Sequence, residues 1–103
     1  FTIVGDGEQR RDFTHVDDVV KANIAAAERA SDISGELINV GTGTNYSVNE
    51  IADMICNQYT KNFIPPRPAE ARVTLADISK AKKLLGYMPS IEISDWIDEY
   101  KVQ

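Results

Sequence analysis

Apolar positions fall in short bursts, and the spacing changes from burst to burst. Thr2-Ile3-Val4 is β-branched and apolar, which predicts a short strand. Gly5-Asp6-Gly7 ends it, because glycine and aspartate tolerate the backbone of tight turns. Arg10 to Val16 reads as an extended segment. The acidic pair Asp17-Asp18 then predicts the cap of a helix running to about Ala30. Val16, Val20, Ile24 and Ala27 keep helical spacing along it, and its many alanines allow close packing. Ser34-Gly35 breaks that helix, and Glu36-Leu37-Ile38-Asn39-Val40 predicts a strand closed by Gly41-Thr42-Gly43. Ser47-Val48-Asn49-Glu50 has the form of a capping box, in which Ser47 and Glu50 satisfy each other's free backbone donors. Val48, Ile51, Ala52, Ile55 and Tyr59 mark one face of the helix beyond it. Phe63-Ile64 predicts another short strand before the proline-rich turn Pro65-Pro66-Arg67-Pro68. Asp77 predicts the cap of a helix over Ile78 to Leu85. Gly86 stands at the helix-stop position and Pro89 soon after it. Ser94 predicts the cap of a last helix carrying Trp96, Ile97 and Tyr100. The expected fold class is a small α/β unit of short strands and about four helices.

Composition narrows the classes of function. With 103 residues, 43% hydrophobic and 26% charged, the chain is of ordinary globular make-up and long enough for one small core. A formal net charge of -5 argues against nucleic acid as a general partner, since binding a phosphate backbone needs a basic surface. Cys56 is the single cysteine and His15 the single histidine, which excludes an internal disulfide and a cysteine- or histidine-rich metal site. A lone thiol fits a reducing cytoplasm. No apolar run has the length of a membrane-spanning helix, so no membrane partner is expected. The opening Phe1-Thr2-Ile3-Val4 reads like a strand entered in mid-protein, so the whole of residues 1–103 is expected to be part of a larger protein.

Few residues carry candidate chemistry. Gly41-Thr42-Gly43 after a strand invites a dinucleotide-binding reading, but that fingerprint needs a third glycine at the place held by Tyr46. A tight strand-to-helix turn is the better reading, and Gly5-Asp6-Gly7 is likewise a turn. Arg10-Arg11-Asp12 offers guanidinium groups that grip phosphate oxygens through two parallel donors. The neighbouring aspartate would orient a guanidinium or accept backbone hydrogen bonds; a plain surface arginine pair is the alternative. Arg67 stands between Pro66 and Pro68, which stiffen its loop and lower the entropy lost on holding an anion. Glu70 would accept hydrogen bonds from hydroxyls such as those of a ribose. Without further information an exposed charged loop is the better reading of Arg67 and Glu70. His15 reads as structural, and Cys56 as a packing residue.

In their order and spacing these stretches resemble the extended short-chain dehydrogenase/reductase family, the NAD-dependent epimerases and dehydratases of nucleotide-sugars, and most of all its UDP-hexose 4-epimerases. The likeness is carried by Gly5-Asp6-Gly7-Glu8-Gln9-Arg10-Arg11-Asp12-Phe13, then Val16-Asp17-Asp18-Val19-Val20 with an alanine-rich helix, then Asn39-Val40-Gly41-Thr42-Gly43 ahead of Ser47. Arg67-Pro68-Ala69-Glu70, Ala76-Asp77-Ile78-Ser79-Lys80-Ala81 and Leu85-Gly86-Tyr87-Met88-Pro89 complete it. The resemblance implies a carboxy-terminal lobe that holds the nucleotide-sugar, here without the amino-terminal Rossmann lobe that binds NAD. It places Arg11 and Arg67 on the diphosphate and Glu70 near the nucleotide ribose. The early strand around Ile3 and Val4 falls near the base, and Asp18 and Asp77 are expected to be helix caps. Ala69-Glu70 departs from the Gly-Asp pair of many epimerases, which bears on the ribose contact. The loop around Arg67 lacks the dehydratase signature, which favours an epimerase over a dehydratase.

The family's reaction needs an NAD-binding loop and a tyrosine with a lysine four residues on. No such loop is present, and Tyr46, Tyr59, Tyr87 and Tyr100 all lack the lysine. The chain alone is therefore expected to carry no catalytic residue, no bound NAD, no metal and no turnover. Many relatives are homodimers, built mainly by helices of the other lobe, which leaves the oligomeric state of this chain open. A non-catalytic module binding a nucleotide or a protein is the alternative, as is a small acidic interaction domain.

Overall fold

Two short ladders join segments that lie far apart in the sequence. The computed structural model describes residues 1–101. β1 (Thr2–Val4) pairs in parallel with β4 (Asn62–Ile64), setting Ile3 opposite Phe63. Gly5 N–H donates to the Ile64 carbonyl at 2.8 Å and Asn62 N–H to that of Phe1 at 2.7 Å, which continues the ladder at both ends. β2 (Arg10–Arg11) pairs antiparallel with β3 (Tyr46–Ser47), Arg11 opposite Tyr46. On its other side Arg10 N–H donates to Arg72 O at 2.8 Å, and Thr74 N–H donates to Arg10 O at 3.0 Å. The Arg10-Arg11 segment is thus held between β3 and the chain that leaves the proline-rich loop.

Five helices complete the described residues: α1 (Val16–Glu28), α2 (Ala30–Ile33), α3 (Val48–Cys56), α4 (Ser79–Leu85) and α5 (Ile93–Lys101). The capping box of α3 is present in full: Glu50 N–H donates to Ser47 Oγ at 3.0 Å and Ser47 N–H to Glu50 Oε2 at 3.0 Å. The stop of α4 is as expected, with Gly86 at φ 64 closing the helix. The one-turn α2 follows α1 across Arg29, where the spacing predicts a single helix to about Ala30.

The core is built differently from the expected one. Ala22, Ile78, Ala81, Leu85 and Tyr87 form the buried cluster, with Ala25, Ala26, Ile38, Val40 and Ala76 packed around it. Alanines bring α1 against α4. The expected stripe of α1 points outward instead: Val16, Val20 and Ile24 are 65%, 47% and 54% exposed. Small side chains permit the closest helix contact, and that won over the bulkier stripe. The α3 face is also only partly buried, since Ala52 is enclosed while Ile55 and Tyr59 are exposed.

Three capping expectations and one strand are corrected. The N-cap of α1 is His15, whose Nδ1 accepts from Asp17 N–H at 3.0 Å. Asp18 is fully buried inside the helix and accepts from Ser90 N–H, Ser90 Oγ and Ile91 N–H, tying α1 to the chain before α5. Asp77 does bond Ser79 N–H at 3.0 Å, but α4 begins at Ser79 and its N-cap position is Ile78. Ser94 lies inside α5, whose Trp96 N–H already donates to Glu92 O. No ladder among the described residues includes 36–40: Ile38 and Val40 turn to the core, and Leu37 is 88% exposed.

Candidate functional site

The two halves of the candidate site come from β2 and from the loop at 65–71, and the pairing of Arg10 with 72–74 brings them together. The neighbouring arginines have separate tasks. Arg10 is tied down: its Nε donates to Asn45 Oδ1 at 2.9 Å, one amino group to Asn45 O at 3.0 Å, and it pairs with Glu50 at 3.3 Å. It locks β2 to the start of α3, so the reading of a plain surface pair fails for it. Arg11 is half-buried. Its Nη1 donates to Arg10 O at 2.8 Å, which fixes the guanidinium plane, and its Nη2 reaches Glu70 Oε1 at 3.3 Å.

Asp12 settles which role an aspartate takes beside these arginines. It accepts from backbone donors: Thr42 N–H at 2.9 Å, Gly43 N–H at 3.0 Å and Ala76 N–H at 3.3 Å, together with Thr42 Oγ1 at 2.6 Å. Partial burial raises its pKa, but the bonds from Thr42, Gly43 and Ala76 outweigh that and hold it below the ordinary carboxylate value. The turn at 41–43 is therefore a cradle for this carboxylate. A Cβ at position 41 would stand 2.5 Å from Ala76 Cβ and 2.8 Å from Asp12 Oδ2, so only glycine fits there.

On the loop side, Arg67 and Glu70 line one small cleft of about 90 Å³ with Val4, Gln9, Pro66 and Arg72. Glu70 thus links the two arginines, sharing a cleft wall with Arg67 and an ion pair with Arg11. Arg67 makes no ion pair among the described residues. Between them stands Ala69 at φ 60, the one non-glycine residue with positive φ among those described. An L-residue in that region costs about 1–2 kcal/mol. Many family members place glycine here, and the backbone explains why.

The remaining expected contacts divide. Val4 is half-buried and borders the cleft, and its carbonyl accepts from Gln9 Nε2 at 2.9 Å. Ile3 points the other way, into the interior, with 3% of its surface exposed. Two neighbours escaped notice in the sequence, Asp6 and Arg72. Arg72 donates to both Asp6 oxygens, at 2.7 and 2.9 Å, and lines the cleft. That hydrogen bond lowers the Asp6 pKa to about 2. The turn residue Asp6 offered no local sign of a partner 66 residues away. His15 serves as a cap and faces Trp96 at 6.1 Å between ring centroids. Cys56 is half-buried at the end of α3. No group of three His, Cys, Asp or Glu capable of holding a metal occurs among the described residues, and no described helix is long and apolar enough to cross a membrane.

Arg67 and Glu70 line this cleft, and Arg11, outside its lining, is tied to it through Glu70. Similarity to known proteins tells what kind of lobe carries them. The family model described as GDP-mannose 4,6 dehydratase matches residues 1–100, and the chain belongs to this family of NAD-dependent epimerases and dehydratases. It is 40% identical over 98 residues to a UDP-glucuronate 4-epimerase of Thermodesulfobacterium geofontis, covering 90% of this chain and 29% of that protein. It is 39% identical to a putative UDP-glucose 4-epimerase of Methanocaldococcus jannaschii, covering 92% of this chain and 31% of that protein. Among solved structures, UDP-glucuronic acid 4-epimerase of Bacillus cereus in complex with UDP-glucuronic acid and NAD superposes with a TM-score of 0.86 at 44% identity. That match covers 94% of this chain and 32% of the other. UDP-glucose 4-epimerase of Thermotoga maritima with UDP-glucose gives 0.78 at 33% identity, over 93% and 31%. The chain thus spans about three tenths of the length of the relatives it matches. Its fold is that of a carboxy-terminal lobe of an extended short-chain dehydrogenase/reductase.

Proposed function

We propose that residues 1–103 form the nucleotide-sugar-binding part of an NAD-dependent UDP-hexose 4-epimerase. Arg11 and Arg67 hold the diphosphate, and Glu70 accepts from the ribose hydroxyls. Val4 borders the nucleotide through its backbone; Ile3 acts beneath it as a packing residue. NAD, when bound in the whole enzyme, takes and returns a hydride; residues outside this chain hold it. What this chain supplies is placement, keeping the nucleotide fixed while the sugar reacts. The observation that carries the reading is the convergence at Glu70 of the Arg11 guanidinium and the cleft wall that holds Arg67.

Two arginines, each contributing about 1.5–3 kcal/mol, give about 3–6 kcal/mol in all. Association costs about 4 kcal/mol or more. The chain alone is expected to bind UDP at millimolar strength or weaker. The test is the enzyme that contains this chain, titrated calorimetrically with UDP and with UDP-glucuronate. Arg11→Ala is expected to weaken both by roughly tenfold to a hundredfold, as loss of one charge-assisted contact implies. An unchanged affinity for UDP itself refutes the phosphate role. A second reading, the same lobe in a nucleotide-sugar 4,6-dehydratase, is favoured by the description of the matching family model. Product analysis separates them, since a dehydratase releases a keto-deoxysugar and an epimerase an isomer of its substrate.

A further inference from the structure

The ion pair between Arg11 and Glu70 joins the group expected to hold phosphate to the group expected to hold ribose. Arg11 has little freedom to turn away, because its Nη1 is bonded to Arg10 O at 2.8 Å. Nη2 is left facing Glu70 at 3.3 Å, a long contact between side chains 27% and 33% exposed. The Glu70 carboxylate therefore already stands where an anion would approach Arg11, and it lines the same cleft as Arg67. Any phosphate that engages Arg11 through Nη2 meets this negative charge first. It must push the carboxylate aside or share the guanidinium with it.

We propose that Glu70 is a specificity-determining counter-anion: it occupies Arg11 until a ribose cis-diol draws its carboxylate away, so that the site admits ribonucleoside diphosphates and resists bare diphosphate. This rests on the nucleotide reading given above and deepens it. The chemistry is an exchange of partners. A carboxylate that leaves a guanidinium needs replacement donors, and the two adjacent hydroxyls of a ribose supply them to its two oxygens. Inorganic pyrophosphate brings charge and no pair of adjacent hydroxyls, so it competes with Glu70 for Arg11 without offering its carboxylate a replacement for both oxygens. A 2′-deoxynucleotide supplies one hydroxyl of the two and falls between. The loop is suited to such an exchange. Pro66 and Pro68 fix its base, and Ala69 holds an unfavourable backbone next to the moving side chain.

The test is a titration of the isotope-labelled full chain by NMR, following the amides of residues 9–12 and 66–72, with UDP, 2′-deoxy-UDP and inorganic pyrophosphate as probes. The native side chain is expected to rank them in that order. Glu70→Gln keeps the size and one acceptor and removes the charge. Pyrophosphate is expected to bind Glu70→Gln up to about fivefold more tightly, the range of a half-exposed pair, while UDP loses affinity and the preference over 2′-deoxy-UDP shrinks. Pyrophosphate binding that is unchanged or weaker in Glu70→Gln overturns the counter-anion role. If Arg11→Ala leaves all three titrations unaltered, the underlying phosphate reading fails, which is a different result from failure of the exchange alone. The dispersed amide spectrum of each variant reports that it is folded.

Discussion

Asp12 is the residue whose loss should most clearly separate the frame of the site from its ligand contacts. Its two carboxylate oxygens take five donors: the neighbouring Thr14 hydroxyl and four drawn from two distant segments, Thr42-Gly43 and Ala76. Asp12→Asn changes almost no volume but turns one oxygen into an amide donor. If the amide faces the Oδ2 position, Gly43 and Ala76 N–H meet a donor. If it faces the Oδ1 position, the short bond with Thr42 must be rebuilt with the hydroxyl turned round. In either orientation one or two charge-assisted bonds are lost, at about 1.5–3 kcal/mol each, and the neighbouring half-buried N–H groups are left poorly satisfied. Solvent access to this partly buried carboxylate trims that sum to about 2–4 kcal/mol, a large share of the about 5–15 kcal/mol that holds a domain of this size. At about 4–8 °C per kcal/mol the melting temperature should fall by at least about 8 °C. The effect carries a pH signature. The folded pKa of Asp12 lies below its unfolded value, so its stabilisation is complete above the unfolded value near 3.8 and is lost as pH falls through the folded one. Melting followed by circular dichroism from about pH 7 to about pH 2.5 should therefore show wild type and Asp12→Asn drawing together at the acid end. A melting temperature for Asp12→Asn within about 2 °C of wild type at neutral pH would refute the clamp.

Three further substitutions probe the frame around the site. Asp18→Ala should cost about 3 kcal/mol or more in urea denaturation, because Ser90 and Ile91 lose a buried acceptor, and hydrogen exchange at those two amides should accelerate. Gly41→Ala should destabilise by about 1–3 kcal/mol, the range for overpacking, read from the same denaturation curves. Ala69→Gly should stabilise the chain by about 0.5–1 kcal/mol, since relief of the positive φ exceeds the added freedom of the unfolded chain; a destabilised variant would show that residue 69 does not hold that conformation.

The strongest local signals were readable in the sequence, single-residue cap signals such as Asp77 and Ser94 misplaced helix starts by a residue or more, and meetings between distant segments were not readable at all. The capping box at Ser47 and Glu50 and the glycine stop at Gly86 involve neighbours in the chain, and both stand as read. Phe63-Ile64 forms a strand because Ile3-Val4 lies beside it, although neither segment names its partner. Glu36 to Val40 has an equally good strand pattern and pairs with nothing among the described residues. A β pattern records a surface that suits pleating, and only tertiary structure supplies a neighbour. The stripe on α1 misled for a related reason: periodicity counts large residues, while α1 docks through Ala22, Ala25 and Ala26. At the site, the resemblance singled out Arg11, Arg67 and Glu70. The pairing of Arg11 with Glu70, the tether on Arg10 and the Asp6–Arg72 bridge each span 35 residues or more, and no spacing rule reaches that far.

The outward-facing Val16, Val20, Ile24 and Leu37 belong to a body measuring 51 × 36 × 16 Å with a radius of gyration of 16.4 Å. A compact domain of this length has a radius near about 13 Å. A slab this thin has only a small interior around Ala22, Ile78, Ala81, Leu85 and Tyr87, so much of its oily surface stays wet even when every helix has formed. Melting such a sheet-like body exposes little new hydrocarbon, and its unfolding should show an unusually small heat-capacity step and a shallow dependence on urea. The same wet surface makes self-association the first hazard of handling the chain at the concentrations that weak-ligand titrations demand.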